Sequence, residues 1–146
     1  MSTTESLPLA ASQRVYRSCL CLHSQRAARA IGRRFDNAFR PLDLTNGQFS
    51  LLHSLNRSEV ATVSRLAALL AMDRTTVTAA LKPLERRGLL ESRPNPEDAR
   101  SRHLFLTPDG HALLAQAMPI WERTLAELEA TLPDADRLRS ELRGLA

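Results

Sequence analysis

The sequence has no run of about 18 apolar residues, so no segment reads as a membrane-spanning helix. Its first residues, Met1 to Ala11, have neither the basic start nor the long apolar stretch of a secretory signal. They read as a short disordered lead-in, and the chain is expected in the cytoplasm. Only two cysteines occur, Cys19 and Cys21. Two positions apart on a helix they point to different faces and cannot easily bridge, so no disulfide framework is indicated. There is no carboxylate pair, nucleophile–base constellation, glycine-rich phosphate loop or dense metal cluster. An enzyme therefore has little support, and no cofactor or metal is expected. Internal repeats and low-complexity tracts are absent too.

What remains is a chain of 146 residues, long enough for one module with its own core. The net charge of +4 is modest, but it is unevenly spread. Residues 1–103 hold 16 Lys/Arg against 9 Asp/Glu, and residues 104–146 hold 4 against 7. The basic part attracts polyanions, of which phosphate backbones are the commonest. Charge alone does not separate that reading from an Arg-rich solvated surface.

Residues 13–40 read as one long helix, with Val15, Cys19, Leu22, Ile31, Phe35 and Ala38 at helical spacing and Pro41 as its stop. Thr45-Asn46-Gly47-Gln48 fits a capping box at the start of a second helix reaching Arg57. Thr62 can cap a short third helix, and Ala71-Met72 make a turn. Asp73 then caps a fourth helix over 74–87, which Gly88 ends. Leu89 to Arg93 and Arg102 to Leu106 read as two strands of a hairpin around a polar loop. Thr107-Pro108 opens a long helix to about Thr131, with a kink predicted at Pro119, and Pro133 opens a last short one.

Helix, tight turn, helix and hairpin in that order make a winged helix-turn-helix. The expected fold class is mainly α with a small β-hairpin wing, an α+β arrangement. Residues 1–12 form the lead-in, 13–43 a dimerisation helix, 44–107 the DNA-binding unit and 108–146 further dimerisation helices. The first turn of the fourth helix would offer base edges Arg74, Thr75, Thr76 and Thr78. Lys82 and Arg86 suit phosphates. Arg100, on the projecting loop, suits the minor groove, and Asp98 is placed to hold its guanidinium. A solvated basic helix face is the alternative for Arg74, Lys82 and Arg86. Pro83 predicts a slight bend in the second half of that helix.

Several segments together closely resemble the MarR family of bacterial regulators. They are Leu44-Thr45 with Gln48-Phe49, Leu66-Ala67, Met72-Asp73-Arg74-Thr75-Thr76-Val77-Thr78, Leu84-Glu85-Arg86-Arg87-Gly88-Leu89, Pro96-Glu97-Asp98-Ala99-Arg100 and Leu106-Thr107 with Gly110. The likeness runs over roughly residues 13–131. Ala99 stands where the family's wing carries a basic residue between Asp and Arg. The resemblance implies a homodimer on pseudo-palindromic double-stranded DNA, a repressor role, and release by a small ligand or an oxidant. The apolar terminal helices, too apolar for one module to bury alone, point to a dimer independently. A winged helix that binds protein instead of DNA is the remaining alternative.

The resemblance also implies a ligand cleft between the dimer helices and the DNA-binding lobe. His23, Phe49, His53 and Trp121 are candidates to line it, with plain helix packing as the alternative for each. Cys19 and Cys21, near Arg14, Arg17 and Arg26, are candidates for sensing oxidants, with core packing as their alternative. Cys19 and His23 share a helix face, but nothing in the sequence supplies further metal ligands.

Overall fold

The computed structural model describes residues 6–146. Among the described residues, seven helices and one hairpin follow one another. They are α1 (Leu9–Ser18), α2 (Leu20–Phe39), α3 (Asn46–Leu55), α4 (Val63–Leu70), α5 (Arg74–Arg86), β1 (Leu90–Pro94), β2 (Arg102–Leu106), α6 (Pro108–Glu129) and α7 (Ala135–Arg143). A 3-10 turn, Arg40–Leu42, joins α2 to α3.

The expected single helix over 13–40 is two helices. Cys19 adopts an extended conformation (φ −75°, ψ 107°), ends α1 and caps α2, its Sγ accepting from Leu22 N at 3.4 Å. Helical order begins at Leu9, so the lead-in expected over 1–12 is helical in its last four residues, and residues 1–5 lie outside the described part. The last helix also starts differently. Asp134 is its cap, accepting from Arg137 N at 2.9 Å, and Pro133 lies before it. A carboxylate satisfies a free first-turn donor, which a proline cannot do.

The other helix starts follow from their caps. Thr45 and Gln48 form the full capping box, and Thr62, Asp73 and Thr107 each accept from the backbone three residues on. The tight turn between α4 and α5 is made by Ala71 in the left-handed region (φ 51°), at a cost of about 1 kcal/mol for a residue with a Cβ. Met72 N returns to Ala67 O at 2.9 Å to close it. Gly88 ends α5 at φ 70°, where glycine carries no such cost. Pro83 and Pro119 lie inside α5 and α6, which continue on both sides of each.

The hairpin is antiparallel, with Leu90 opposite Leu106 and Pro94 opposite Arg102. Ala61 adds a third backbone link, its carbonyl accepting from Leu104 N at 2.9 Å. The core lies between the helix-turn-helix and the long helices. Phe39, Leu52, Val77 and Leu84 are fully buried in it. An aromatic column runs through Phe35, Phe39, Phe49 and Trp121, with ring centroids 6.1, 4.8 and 6.5 Å apart. Such pairs each add about 0.5–1.5 kcal/mol to the burial itself. Neither α1 nor α7 buries a single side chain fully. Val15, Tyr16, Leu138 and Leu142 therefore stand exposed in one copy of the chain, as does Leu20 at the start of α2.

Candidate nucleic-acid interface

The start of α5 is fixed by Asp73. Its carboxylate accepts from Thr76 N at 2.8 Å and from Thr76 Oγ1 at 2.6 Å. The Thr76 hydroxyl, then its backbone N–H, hold the Asp73 carboxyl below its ordinary range. The negative charge also suits the positive end of the helix. One consequence concerns the expected base readers: the Thr76 hydroxyl proton is already committed to the cap. Thr78 donates to Arg74 O at 2.9 Å and keeps its oxygen lone pairs free to accept. Arg74, Thr75, Lys82 and Arg86 are exposed, and no salt bridge to any of them occurs among the described residues.

The wing departs from expectation at Asp98. Its carboxylate accepts from the backbone N–H of Arg100 at 2.9 Å, and its carbonyl accepts from Ser101 N at 3.1 Å. Asp98 thus shapes the turn, and no ion pair joins it to the Arg100 guanidinium among the described residues. A carboxylate two residues ahead of a backbone donor closes a local ring, which competes well against a long, mobile side chain. Arg100 is left exposed at the tip. Arg93, lower on the wing, lies 4.6 Å above the Phe105 ring centroid and pairs with Glu91.

Between α5 and the wing runs a groove of about 660 Å³. It gathers Arg74, Thr75, Thr78, Lys82 and Arg100 on one surface, and leaves Thr76, Arg86 and Asp98 outside. It also draws in residues that sequence reasoning missed: Thr62 and Ser64 at the start of α4, and Ser92 and Arg102 on the wing. Arg102 was findable, because the strand period of two puts it on the face of Leu104, which is buried and shares the groove lining. Arg102 donates to Ser92 Oγ at 2.9 Å and to Ser92 O at 3.0 Å, and Ser92 Oγ donates to Glu85 at 3.2 Å. The spacing between wing and helix is held by that chain. The groove can accept a polyanion along walls where Arg74, Lys82, Arg100 and Arg102 outnumber the one carboxylate, Glu85, with hydroxyls for hydrogen bonding.

A second cavity of about 300 Å³ lies between α3, α4 and α6. Phe49, His53 and Trp121 line it with Ser50, Ser54, Leu70 and Met118. Of the four expected lining residues, His23 is elsewhere, against Arg17 O at 3.2 Å across the α1–α2 break. Cys19 and Cys21 are both free thiols, the first half-buried and the second exposed. The expectation that they point to different helix faces assumed a continuous helix, and the break at Cys19 removes that premise. Among the described residues no three His, Cys, Asp or Glu side chains gather as metal ligands. No described helix is long and apolar enough to cross a membrane.

The MarR family model matches residues 44–101, which span α3, the helix-turn-helix and most of the wing. The multiple antibiotic resistance protein MarR of Salmonella typhimurium is 37% identical over 84 residues, which is 58% of this chain and 58% of that protein. The organic hydroperoxide resistance transcriptional regulator of Bacillus subtilis is 29% identical over 123 residues, 84% of each chain. Among solved structures, the transcriptional regulator MosR of M. tuberculosis in complex with DNA superimposes with a TM-score of 0.82. It is 38% identical, over 88% of this chain and 93% of that one. Motifs, architecture and relatives agree: the chain is a winged-helix protein and belongs to the MarR family.

Proposed function

We propose that the chain is a DNA-binding transcription regulator, a repressor that grips a pseudo-palindromic site on double-stranded DNA as a homodimer. The groove between α5 and the wing carries this reading, because Arg74, Lys82, Arg100 and Arg102 line it. Arg74 stands in the first turn of α5, where a recognition helix reads bases, and Arg100 reaches toward the adjacent minor groove. The exposed apolar faces of α1 and α7 provide the surface for a second copy. A two-fold pair of recognition helices then spans about one turn of DNA. The chain acts by binding and not by catalysis, in the cytoplasm. Selection from a randomised duplex library tests this: it should enrich a two-fold symmetric site with half-sites one helical turn apart. No enrichment over bulk duplex would overturn the reading.

The cavity between α3 and α6 supports release by a small aromatic ligand, since Phe49, His53 and Trp121 present ring faces with Ser50 and Ser54 beside them. A second reading rests on the two reduced thiols at the α1–α2 break. An organic hydroperoxide would pass one oxygen to a thiolate there, giving a sulfenic acid and the alcohol. Peroxide treatment of wild type beside the Cys19→Ser, Cys21→Ser double variant separates the two. Unchanged DNA release in the double variant eliminates the thiol reading.

A further inference from the structure

Arg86 and Arg87 follow one another at the end of α5, yet they face different tasks. Arg86 is exposed and belongs to the basic surface. Arg87 is exposed as well, but its guanidinium turns back onto the chain. Its guanidinium donates to Asp43 O at 2.7 Å and to Leu42 O at 3.5 Å, across 44 and 45 positions of sequence. The accepting carbonyls close the 3-10 turn after α2, where free carbonyls collect and a cation is favoured. That turn is itself well fixed. Asp43 is held in the left-handed region, its N–H on Arg40 O at 3.0 Å, and Asn46 N donates to Asp36 of α2 at 2.7 Å. At its own root, Arg87 caps α5 through its backbone N–H to Pro83 O at 3.1 Å. One side chain thus fastens the end of the recognition helix to the end of the long arm α2, whose other end adjoins α1 and its unburied apolar residues.

We infer that Arg87 is a positioning residue that sets where each recognition helix stands relative to the dimer arm, and so the half-site spacing the protein accepts. The inference rests on the reading of the chain as a dimeric DNA-binding regulator. Without Arg87 the lobe keeps its own DNA contacts but loses a charged tether to the arm. Each recognition helix then samples more positions, and the two half-sites are engaged less cooperatively.

The test uses the duplex that wild type selects from a randomised library, together with versions carrying one base pair more or fewer between the half-sites. Arg87→Ala should lose about five- to tenfold in affinity for the selected spacing. It should lose far less on the altered spacings, so that the preference for the native spacing shrinks. The dependence of binding on salt should stay as in wild type, because no phosphate contact is removed. Arg87→Lys, which offers a cation without the two-pronged donor, should fall between the two. A salt slope reduced by about one would make Arg87 a phosphate contact and overturn the inference. So would an unchanged spacing preference, including one that accompanies a uniform loss of affinity from poor folding. If wild type selects no duplex at all, the regulator reading falls; if wild type selects one and Arg87→Ala keeps its spacing preference, only this inference falls.

Discussion

Gly110 packs so tightly on Leu89 that a Cβ at Gly110 would overlap the Leu89 carbonyl oxygen and reach within 3.1 Å of Leu106 Cδ2. Thr107 draws the pieces together. Its hydroxyl donates to Gly88 O at 2.6 Å and accepts from Gly110 N at 3.1 Å, while its own N–H donates to Leu89 O at 3.2 Å. The first turn of α6 is thereby seated on the root of the wing. Gly110→Ala sets a Cβ against the Leu89 backbone, and is expected to destabilise the fold by about 1–3 kcal/mol. Urea unfolding measures it, and an unchanged midpoint would contradict the packing described.

Asp73 gives a pH dependence of known sign. Its folded pKa lies below the ordinary carboxylate value, through Thr76. The cap's contribution is therefore complete above the unfolded value of about 3.9, and is lost as pH falls through the lower folded value. Wild type should be more stable than Asp73→Ala near neutrality, and the gap should narrow below about pH 4. Unfolding midpoints across that range check this. A gap that is constant with pH would contradict a charged cap.

Most helix starts were legible because a cap is a local bond. Thr45, Thr62, Asp73 and Thr107 each bond within three residues, so residue type and position reveal the element. Cys19 was not legible in that way. A thiol is a weak acceptor and a rare cap, and the apolar period continues across the break as if the helix did. The candidate groove was half legible. Arg74, Thr75, Thr78, Lys82 and Arg100 came from the motif. Asp98 and Thr76 turned out to spend their polar atoms on nearby backbone and side chains. The Ala61–Leu104 link and the Arg87–Asp43 tether join residues 43 and 44 positions apart, and no local signal announces such pairings.

Leu138 and Leu142 on α7 are 37% and 48% exposed in one copy. In a dimer each would contribute about 1 kcal/mol by burying the part still exposed. The Leu138→Glu, Leu142→Glu double variant is expected to be monomeric where wild type is dimeric, and to bind the selected duplex more weakly. Sedimentation equilibrium measures the first. An unchanged dimer would place the interface away from α7.

Trp121 is the sole tryptophan and lines the cavity with His53 and Phe49. Titration with small aromatic probes such as phenol and benzoate should change its fluorescence saturably if the cavity takes ligands of that class. His53→Ala, at an exposed wall residue, should raise the midpoint by about tenfold, the loss of one good polar or ring contact. A signal that grows linearly with probe, or the same midpoint in the variant, would contradict a ligand role for this cavity.

The most direct measurement is the affinity of wild type, Arg74→Ala and Arg100→Ala for the selected duplex and for single-base variants of it, over a series of salt concentrations. Wild type should weaken steeply with salt, as phosphate-neutralising proteins do. Arg74→Ala should lose about 1–3 kcal/mol on the selected site and relax the preference at one base position. Arg100→Ala should weaken binding with less loss of discrimination. Binding indifferent to salt, with both variants equal to wild type, would contradict a DNA-reading groove between α5 and the wing.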